Sequence, residues 1–273
     1  MLDRWTEGPG ILRVKDGAFR GALMDMIGRW LPRMCQVVLS GMIGSRQGWV
    51  EAPYARCPAG TADLVEALVR VDDDTLRIFL VPGLSTENDA MPDVMRGEET
   101  QILGALALSG RDEGLFLLPG THSKWAQVSD GRIVSFRTFM TGEVFGALKE
   151  HTILGRLMTA GSDPKGFARG VREGAAVGSA GALLNRMFAT RTYGLMDKVP
   201  GAALSDYLSG LLIGAEVAEA TRQTTGAVTI IASAALAQRY TDALALLGHG
   251  STLAPEDCAA AGHFRIARAA GLI

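Results

Sequence analysis

Two spacings of apolar residues alternate along the chain, and their alternation predicts its fold class. Over residues 19–30 the apolar side chains fall on one face of a helix. Residues 37–39 and 78–81 are instead short apolar runs that end at glycine-containing turns, as buried strands do. Strands that alternate with helices predict an α/β architecture with parallel strands.

The rest of the pattern divides the chain into two predicted α/β lobes. A polar turn at residues 109–112 separates them, so that they cover residues 1–110 and 111–273. A polar loop containing Asn88, Asp89 and Pro92 is predicted after Gly83. Further helices are predicted over 61–71, 94–108, 164–189, 205–222, 234–247 and 256–270, and further strands over 115–118, 132–136 and 228–231.

Composition and charge indicate a globular protein and give no support for nucleic-acid binding. The 273 residues are 48% hydrophobic and 21% charged, which is enough to bury a core and argues against bulk disorder. A formal charge of −2 gives no support for nucleic-acid binding. Since the cysteines Cys35, Cys57 and Cys258 are few and widely spaced, reduced, packed thiols and no metal site are expected.

Location and assembly are only partly constrained by the sequence. No apolar run reaches the roughly 18 residues that a membrane span needs, and the first residues lack the apolar core of a signal peptide. We therefore expect a cytoplasmic protein without membrane contacts. The sequence does not fix the oligomeric state, for which a homodimer is the candidate.

The most informative segment is a strand that stops at a polar turn. Residues 115–118 are apolar, and Gly120, Thr121, His122, Ser123 and Lys124 follow within a few positions. Backbone N–H groups, hydroxyls and a cation at the end of a strand can hold a phosphate. Alternatively, the hydroxyls satisfy local backbone groups at the start of a hairpin, and His122 is a structural hydrogen-bonding residue.

A second polar turn follows at Thr141, Gly142 and Glu143. The intervening Ser-Asp-Gly at 129–131 is a hairpin turn, which places both polar turns at the same end of an antiparallel pair. Glu143 could offer a carboxylate to sugar hydroxyls. The alternative is that this turn only begins and caps a helix.

Two adjacent carboxylates form a third candidate site. Glu98 and Glu99 follow Arg96 at the start of a predicted helix. Because neighbouring helix positions point about 100° apart, both carboxylates cannot face one substrate. One could act as a general base while the other pairs with arginine. Alternatively, both are solvated acids that the helix dipole favours.

Two further turns have weaker patterns. Ala232 and Ser233 follow a strand and could pass close to a nucleoside, although small residues there also allow tight strand–helix packing. The glycine-rich residues 40–49 follow another strand but lack the lysine and hydroxyl ending of a P-loop. The motifs of serine hydrolases and of dinucleotide-binding folds are absent from the sequence.

Taken together, these segments resemble one family, the 2-keto-3-deoxygalactonate kinases of the sugar-kinase, actin and Hsp70 fold group. The resemblance covers nearly the whole chain, and the matching motifs occur in the family's order. They are SGMIGS with GW (40–45, 48–49), VMRGEETQ (94–101), PGTHSKW (119–125), FRT with MTGE (136–138, 140–143) and LSGLLIGAEV (208–217).

The resemblance implies an activity and its substrates. It implies transfer of the γ-phosphate of ATP, with Mg²⁺, to the C6 hydroxyl of 2-dehydro-3-deoxy-D-galactonate, a step of D-galactonate breakdown. A non-catalytic protein that binds a nucleotide or a sugar acid is the alternative. The implied architecture is two ribonuclease-H-like lobes with a cleft between them.

The resemblance also implies roles for single residues. Gly120 and Thr121, with His122 and Ser123, match the second phosphate loop, and Ala232 and Ser233 would lie against the nucleoside. Glu98 or Glu99 would be the catalytic carboxylate, Lys124 would offset phosphate charge, and Glu143, with Thr141 and Gly142, would contact the sugar. Arg46, Arg96 and Arg137 are candidates for binding the substrate carboxylate.

Two departures from the family pattern qualify these expectations. The family carries an Asp-x-Gly-Thr/Ser phosphate loop upstream of the stretch that matches residues 7–11, so the first lobe is expected to lack its N-terminal hairpin. In addition, Ala232 stands where the family commonly has glycine.

Overall fold

The structure is a computed structural model that describes residues 3–5, 10–33, 36–88, 90–222 and 226–273. Cys35, Asp89 and residues 7–9, named above, lie outside these ranges. Two compact units are formed. The first comprises residues 1–112, 129–135 and 255–273, and the second comprises residues 113–128 and 136–254.

Helices and strands alternate through the described residues. The strands are β1 Gln36–Leu39, β2 Tyr54–Arg56, β3 Val69–Val71, β4 Arg77–Leu80, β5 Gly83–Asn88, β6 Met91–Met95, β7 Gly114–Leu118, β8 Ser123–Ser129, β9 Arg132–Phe139, β10 Val228–Ile230 and β11 Ser251–Leu253. The α-helices are α1 Phe19–Ile27, α2 Thr61–Glu66, α3 Glu98–Ser109, α4 Thr141–His151, α5 Pro164–Ala175, α6 Ala180–Leu195, α7 Gly201–Ala220, α8 Ala234–Leu246 and α9 Cys258–Ala269. Short 3₁₀ helices cover Ile11–Arg13, Lys15–Gly17, Gly28–Arg33, Met42–Gly44 and Ile153–Leu157.

The first unit contains two three-stranded sheets, with strand orders β1-β4-β3 and β2-β5-β6. The pairs β1–β4 and β2–β5 are parallel, which confirms the predicted parallel strands. Helices α3 and α9 pack closely because both have a glycine at the contact. A Cβ atom on Gly104 would overlap the carbonyl of Cys258, and one on Gly262 would overlap the carbonyl of Thr100.

The second unit contains a five-stranded sheet of order β11-β10-β7-β8-β9, apart from residues 129–135 at the β8–β9 hairpin, which belong to the first unit. Strand β10 runs parallel to both β7 and β11, whereas β7 and β8 are antiparallel. Helices α5 and α7 approach each other at glycines on both sides, since a Cβ on Gly170 or Gly210 would overlap the opposite backbone. The core between the sheet and these helices includes Leu117, Val171 and Val217.

Several predicted elements are confirmed, and four predictions were wrong in detail. The helix over 94–108 begins only at Glu98, because β6 extends to Met95 and Gly97 has a φ of 109°. The polar loop after Gly83 is instead the antiparallel pair β5–β6. The helix over 61–71 ends at Glu66, and its last predicted residues form β3.

The helix predicted over 164–189 is two helices. Helix α5 ends at Ala175, and α6 starts at Ala180 after Ser179, whose side chain accepts a hydrogen bond from the Ala182 N–H at 3.3 Å. The intervening Gly178 lowers the helix propensity of the junction. A single apolar and alanine-rich pattern therefore concealed a break.

Two further features concern the thiols and the membrane. Cys57 is half-buried, Cys258 is buried, and both are free thiols. Among the described residues, no helix combines the length and the apolar character needed to cross a lipid bilayer.

Candidate functional site

Three strands of the second unit end at the same edge of its sheet. Strand β10 is parallel to β7. Strand β8 is antiparallel to β7, and β9 turns back from β8 at Asp130 and Gly131, whose φ values of 51° and 69° suit a tight hairpin. The turns after β7, β9 and β10 therefore lie together, and we call residues 119–123, 140–143 and 231–233 the polar edge.

Two turns of the polar edge are in direct contact. The backbone N–H of Glu143 donates to the carbonyl of Thr121 at 2.9 Å. The Nε2 of His122 and the Oε2 of Glu143 are hydrogen-bonded at 2.7 Å. Gly142 allows this approach, because a Cβ there would lie 2.9 Å from the Cα of Thr121. The prediction that both polar turns lie at one end of the hairpin is confirmed.

Exposure differs along the first turn. Thr121 and His122 are exposed, and Gly120 is half-buried, so their backbone and side chains are accessible. Ser123 is fully buried, with its hydroxyl 3.0 Å from the hydroxyl of Tyr240. Lys124 is also buried, and its ammonium donates to Oγ1 of Thr138 at 2.8 Å. The positive charge of Lys124 therefore lies on the buried side of the first turn.

The third turn leads into α8. The backbone N–H of Ile231 donates to the carbonyl of Leu117 at 2.9 Å, which ties the turn to β7. Ala232 and Ser233 are exposed, and the Ser233 side chain makes no capping hydrogen bond to α8. The first N–H groups of α8 thus stay available to a ligand at the polar edge.

In the first unit, the two candidate carboxylates have different surroundings. Glu99 is fully buried; it accepts hydrogen bonds from the Gly97 N–H at 2.6 Å and from the Thr100 hydroxyl at 2.9 Å. Burial raises the pKa of Glu99 to about 7. Glu98 is half-buried, and its Oε2 accepts from the Arg96 N–H at 2.9 Å. Glu98 is therefore the more accessible carboxylate.

Two matched motifs meet beside these carboxylates. A Cβ on Gly97 would lie 3.1 Å from the Cα of Gly41, and a Cβ on Gly44 would lie 3.3 Å from Nη1 of Arg96. Gly41 and Gly97 both have positive φ, 86° and 109°, so glycine suits both positions. The glycine-rich loop and the glutamate segment thus pack together.

A family model described as 2-keto-3-deoxy-galactonokinase matches residues 1–266 of the sequence. The chain belongs to the 2-keto-3-deoxy-galactonokinase family. Membership makes it a transferase, a sugar kinase of carbohydrate catabolism. The resemblance recognised from the motifs is confirmed.

Individual relatives agree with this assignment. The chain is 36% identical over 257 residues to the 2-dehydro-3-deoxygalactonokinase of Escherichia coli, an alignment that covers 92% of this chain and 84% of the relative. It is 37% identical over 222 residues to a Rhizobium meliloti protein named "Probable 2-dehydro-3-deoxygalactonokinase DgoK1", with 78% and 71% covered.

A solved structure matches the fold. It is a crystal structure from Sinorhizobium meliloti, provisionally assigned as a 2-dehydro-3-deoxygalactonokinase. The TM-score is 0.85 at 33% sequence identity, and the match covers 92% of this chain and 85% of the other. The mixed α/β fold is therefore shared within the family.

The three arginine candidates have different environments in this family member. Arg46 is exposed and lies 3.4 Å from Glu51. Arg137 donates to the carbonyl of Ala220 at 3.0 Å. Arg96 is buried, donates to the carbonyl of Ala52 at 2.8 Å and lies 4.2 Å from the centre of the Tyr54 ring.

Arg96 has unused hydrogen-bonding capacity. Its Nε and Nη1 atoms are buried and make no hydrogen bond within the described part of the chain. Unpaired buried donors are costly and rare, which singles this side chain out among the three.

One polar residue of the second unit was not singled out from the sequence. Glu216 lies on α7, only 3% exposed, and accepts hydrogen bonds from Trp125 and Tyr240. The sequence places it in a matched motif, but an acid inside an apolar helix gives no sign of its partners. A lone glutamate in an otherwise apolar run of α7 was the available signal.

Proposed function

We propose that this family member transfers the γ-phosphate of ATP to the C6 hydroxyl of 2-dehydro-3-deoxy-D-galactonate. The observation that carries the proposal is the polar edge, where three turns lie together beside the starts of two helices. Such an arrangement favours phosphate. The names of the relatives supply the class of acceptor.

The first and third turns of the polar edge, residues 119–123 and 231–233, are the proposed nucleotide site. The backbone of Gly120, Thr121 and His122 would hold phosphate oxygens, and Ser123, whose buried hydroxyl faces Tyr240, would support the turn from behind. Lys124 adds positive charge behind the turn, where a buried ammonium acts at short range in low dielectric. On the neighbouring strand, Ala232 and Ser233 would contact the nucleoside; both are small and exposed.

Glu98 is the proposed general base. A base must lie within hydrogen-bond reach of the hydroxyl whose proton it accepts. Glu98 is half-buried and accepts one backbone N–H, whereas Glu99 is enclosed and bonded at both oxygens. We therefore assign Glu99 the role of holding the Gly97 turn, from which Glu98 is presented.

Arg96 is proposed to bind the carboxylate of the sugar acid, since its guanidinium has buried donors without acceptors. Thr141, Gly142 and Glu143 are proposed to bind sugar hydroxyls. The exposed carboxylate of Glu143 is already oriented by His122. Phosphoryl transfer depends mainly on such positioning and charge neutralisation.

Magnesium would reach the site with the nucleotide and neutralise phosphate charge. Among the described residues, no group of three His, Cys, Asp or Glu side chains is placed to hold a metal ion. These side chains therefore do not fit a resident metal site, and no step is assigned to a protein-held ion.

A coupled assay of ADP release tests the proposal. The purified chain is incubated with Mg-ATP and 2-dehydro-3-deoxy-D-galactonate, with the gluconate-derived epimer and acceptor-free mixtures as controls. We expect ADP release that depends on the galactonate-derived acid. Nucleotide binding without acceptor-dependent ADP release would instead indicate a non-catalytic binding protein.

A further inference from the structure

A buried carboxylate lies directly behind the polar edge. Glu216 on α7 receives the indole N–H of Trp125 at Oε1 and the hydroxyl of Tyr240 at Oε2, both at 2.8 Å. The Thr141 hydroxyl donates to it as well, and the Ser123 hydroxyl, which lies 3.0 Å from the Tyr240 hydroxyl, has one proton to share between that oxygen and Glu216. An ionised carboxylate is an acceptor with about four lone-pair sites, so it has room to accept from all of these groups.

The four donors come from the elements that form the polar edge. Ser123 ends the turn after β7, and Thr141 is the first residue of α4. Tyr240 belongs to α8, which starts at the turn after β10, and Trp125 lies on β8. One carboxylate therefore links the first two turns of the polar edge to α8, the helix that follows the third turn.

From this arrangement we infer that Glu216 is a positioning residue, which fixes the turn after β7 and helix α8 so that together they match one nucleotide, and holds the sugar-binding turn at Thr141 beside them. The inference rests on the proposed function, because it assumes that the polar edge holds ATP. Glu216 is buried beneath the turns, so it acts through Ser123, Thr141 and Tyr240.

The energetics favour a role of this kind over simple packing. Burial raises the pKa of Glu216, which means that its charged form is disfavoured in this environment. An apolar side chain would fill the same space without that cost. The carboxylate adds directional hydrogen bonds from β8, α4 and α8, which are stronger to a charged acceptor and fix their donors in place.

Glutamine is the informative substitution because it preserves volume and changes only the donor pattern. An indole N–H can only donate, so the amide oxygen must face Trp125. The amide NH₂ group then faces Tyr240, whose hydroxyl has to turn round and accept. Ser123 and Thr141 compete for the one remaining acceptor, so the turns lose part of their common anchor.

The test compares Glu216→Gln with Glu173→Gln. Glu173 is a second carboxylate of the same unit and accepts from Arg169 at 2.8 Å and Tyr207 at 2.7 Å, partners on α5 and α7 outside the polar edge. For wild type and both variants, ADP affinity is measured by calorimetry, the KM for ATP and kcat by steady-state kinetics, and stability by urea unfolding.

We expect Glu216→Gln to weaken ADP binding and raise the KM for ATP by about tenfold, since small misplacements of binding groups are costly. The Glu173→Gln variant should lose stability with the nucleotide parameters unchanged. If both variants lose stability and neither alters ADP affinity, Glu216 is merely structural and the inference is overturned.

Two further results distinguish failure of the inference about Glu216 from failure of the proposed function. If wild type binds ADP but does not phosphorylate the sugar acid, the proposed function fails while ADP affinity still tests Glu216. If wild type binds no ADP, both fail. Should Glu216→Gln not fold, Tyr240→Phe removes one donor and leaves the carboxylate; it should weaken ADP binding less strongly, and unchanged affinity would overturn the inference.

Discussion

Glu98 and Glu99 are adjacent in the sequence but differ in their surroundings at the start of α3. The sequence identifies the pair, because two acids enter a helix next to an arginine. It cannot rank them, since their burial depends on packing with segments far away in the chain. The structure leaves Glu98 half-buried and encloses Glu99.

The first prediction concerns catalysis by this pair. Replacing Glu98 with glutamine should lower kcat by about a hundredfold or more, with little change in KM, because the loss of a general base affects the transition state. Glu99→Gln should lower kcat by less than about tenfold. Steady-state kinetics with the sugar acid measures both. Equal, mild effects of the two substitutions would count against the assignment.

The second prediction concerns the pH dependence of stability. The pKa of Glu99 is raised to about 7 by burial, so the folded protein holds this proton more tightly than the unfolded chain does. Its stabilising contribution is present below the ordinary pKa of a glutamate and is lost as pH rises through 7. The shift corresponds to roughly 3 kcal/mol.

Urea unfolding at pH 5 and pH 8 measures this effect. The free energy of unfolding of wild type should fall by more between these pH values than that of Glu99→Gln, which has no ionisable group there. Other carboxylates contribute equally to both proteins and cancel in the comparison. Parallel pH profiles would show that Glu99 titrates normally.

Elements with long and uniform patterns were predictable from the sequence, whereas boundaries set by tertiary contacts were not. The first helix, β7 and the last helix agree with the prediction. The strand β6 was missed because residues 94–95 continue a helical pattern into α3, and only the backbone turn at Gly97 separates them. Residues 91–95 form a strand because they pair with β5.

The arrangement of the polar edge was predictable only in part, because local turns can be identified from the sequence and long-range strand pairing cannot. The hairpin turn at 129–131 fixes the relation between the turn after β7 and the start of α4, so their proximity follows from local sequence. The position of the third turn, after β10, does not follow from local sequence, because the pairing of β10 with β7 joins residues more than a hundred positions apart.

The third prediction tests the contact between these elements. Alanine at Gly142 would place a Cβ 2.9 Å from the Cα of Thr121 and push the two turns apart. The KM for ATP should rise several-fold in Gly142→Ala, even though alanine favours the helix by about 1 kcal/mol. Gly146→Ala, on the same helix with nothing within 4 Å, is the control.

The affinity for ADP, measured by calorimetry, is the second quantity to compare between Gly142→Ala and Gly146→Ala. The control variant should bind ADP like wild type and gain stability from the alanine. If Gly142→Ala and Gly146→Ala behave alike in kinetics and in binding, the close contact between the turns has no role in holding the nucleotide.

At the scale of the whole molecule, family membership followed from five motifs in order and is confirmed by the relatives. The motifs within each unit converge in space, 40–49 with 96–101 in the first unit and 119–125 with 140–143 in the second. Glu216 shows what the sequence could not supply. Its role depends on four donors from three separate parts of the chain.

Phosphorus NMR of the reaction product is the most direct test of the central claim. The purified chain, Mg-ATP and 2-dehydro-3-deoxy-D-galactonate should give a new phosphomonoester signal. Without proton decoupling this signal should be a triplet, because the C6 carbon carries two protons. A doublet would place the phosphate on a secondary hydroxyl, and the absence of any new phosphomonoester would contradict the proposed kinase activity itself.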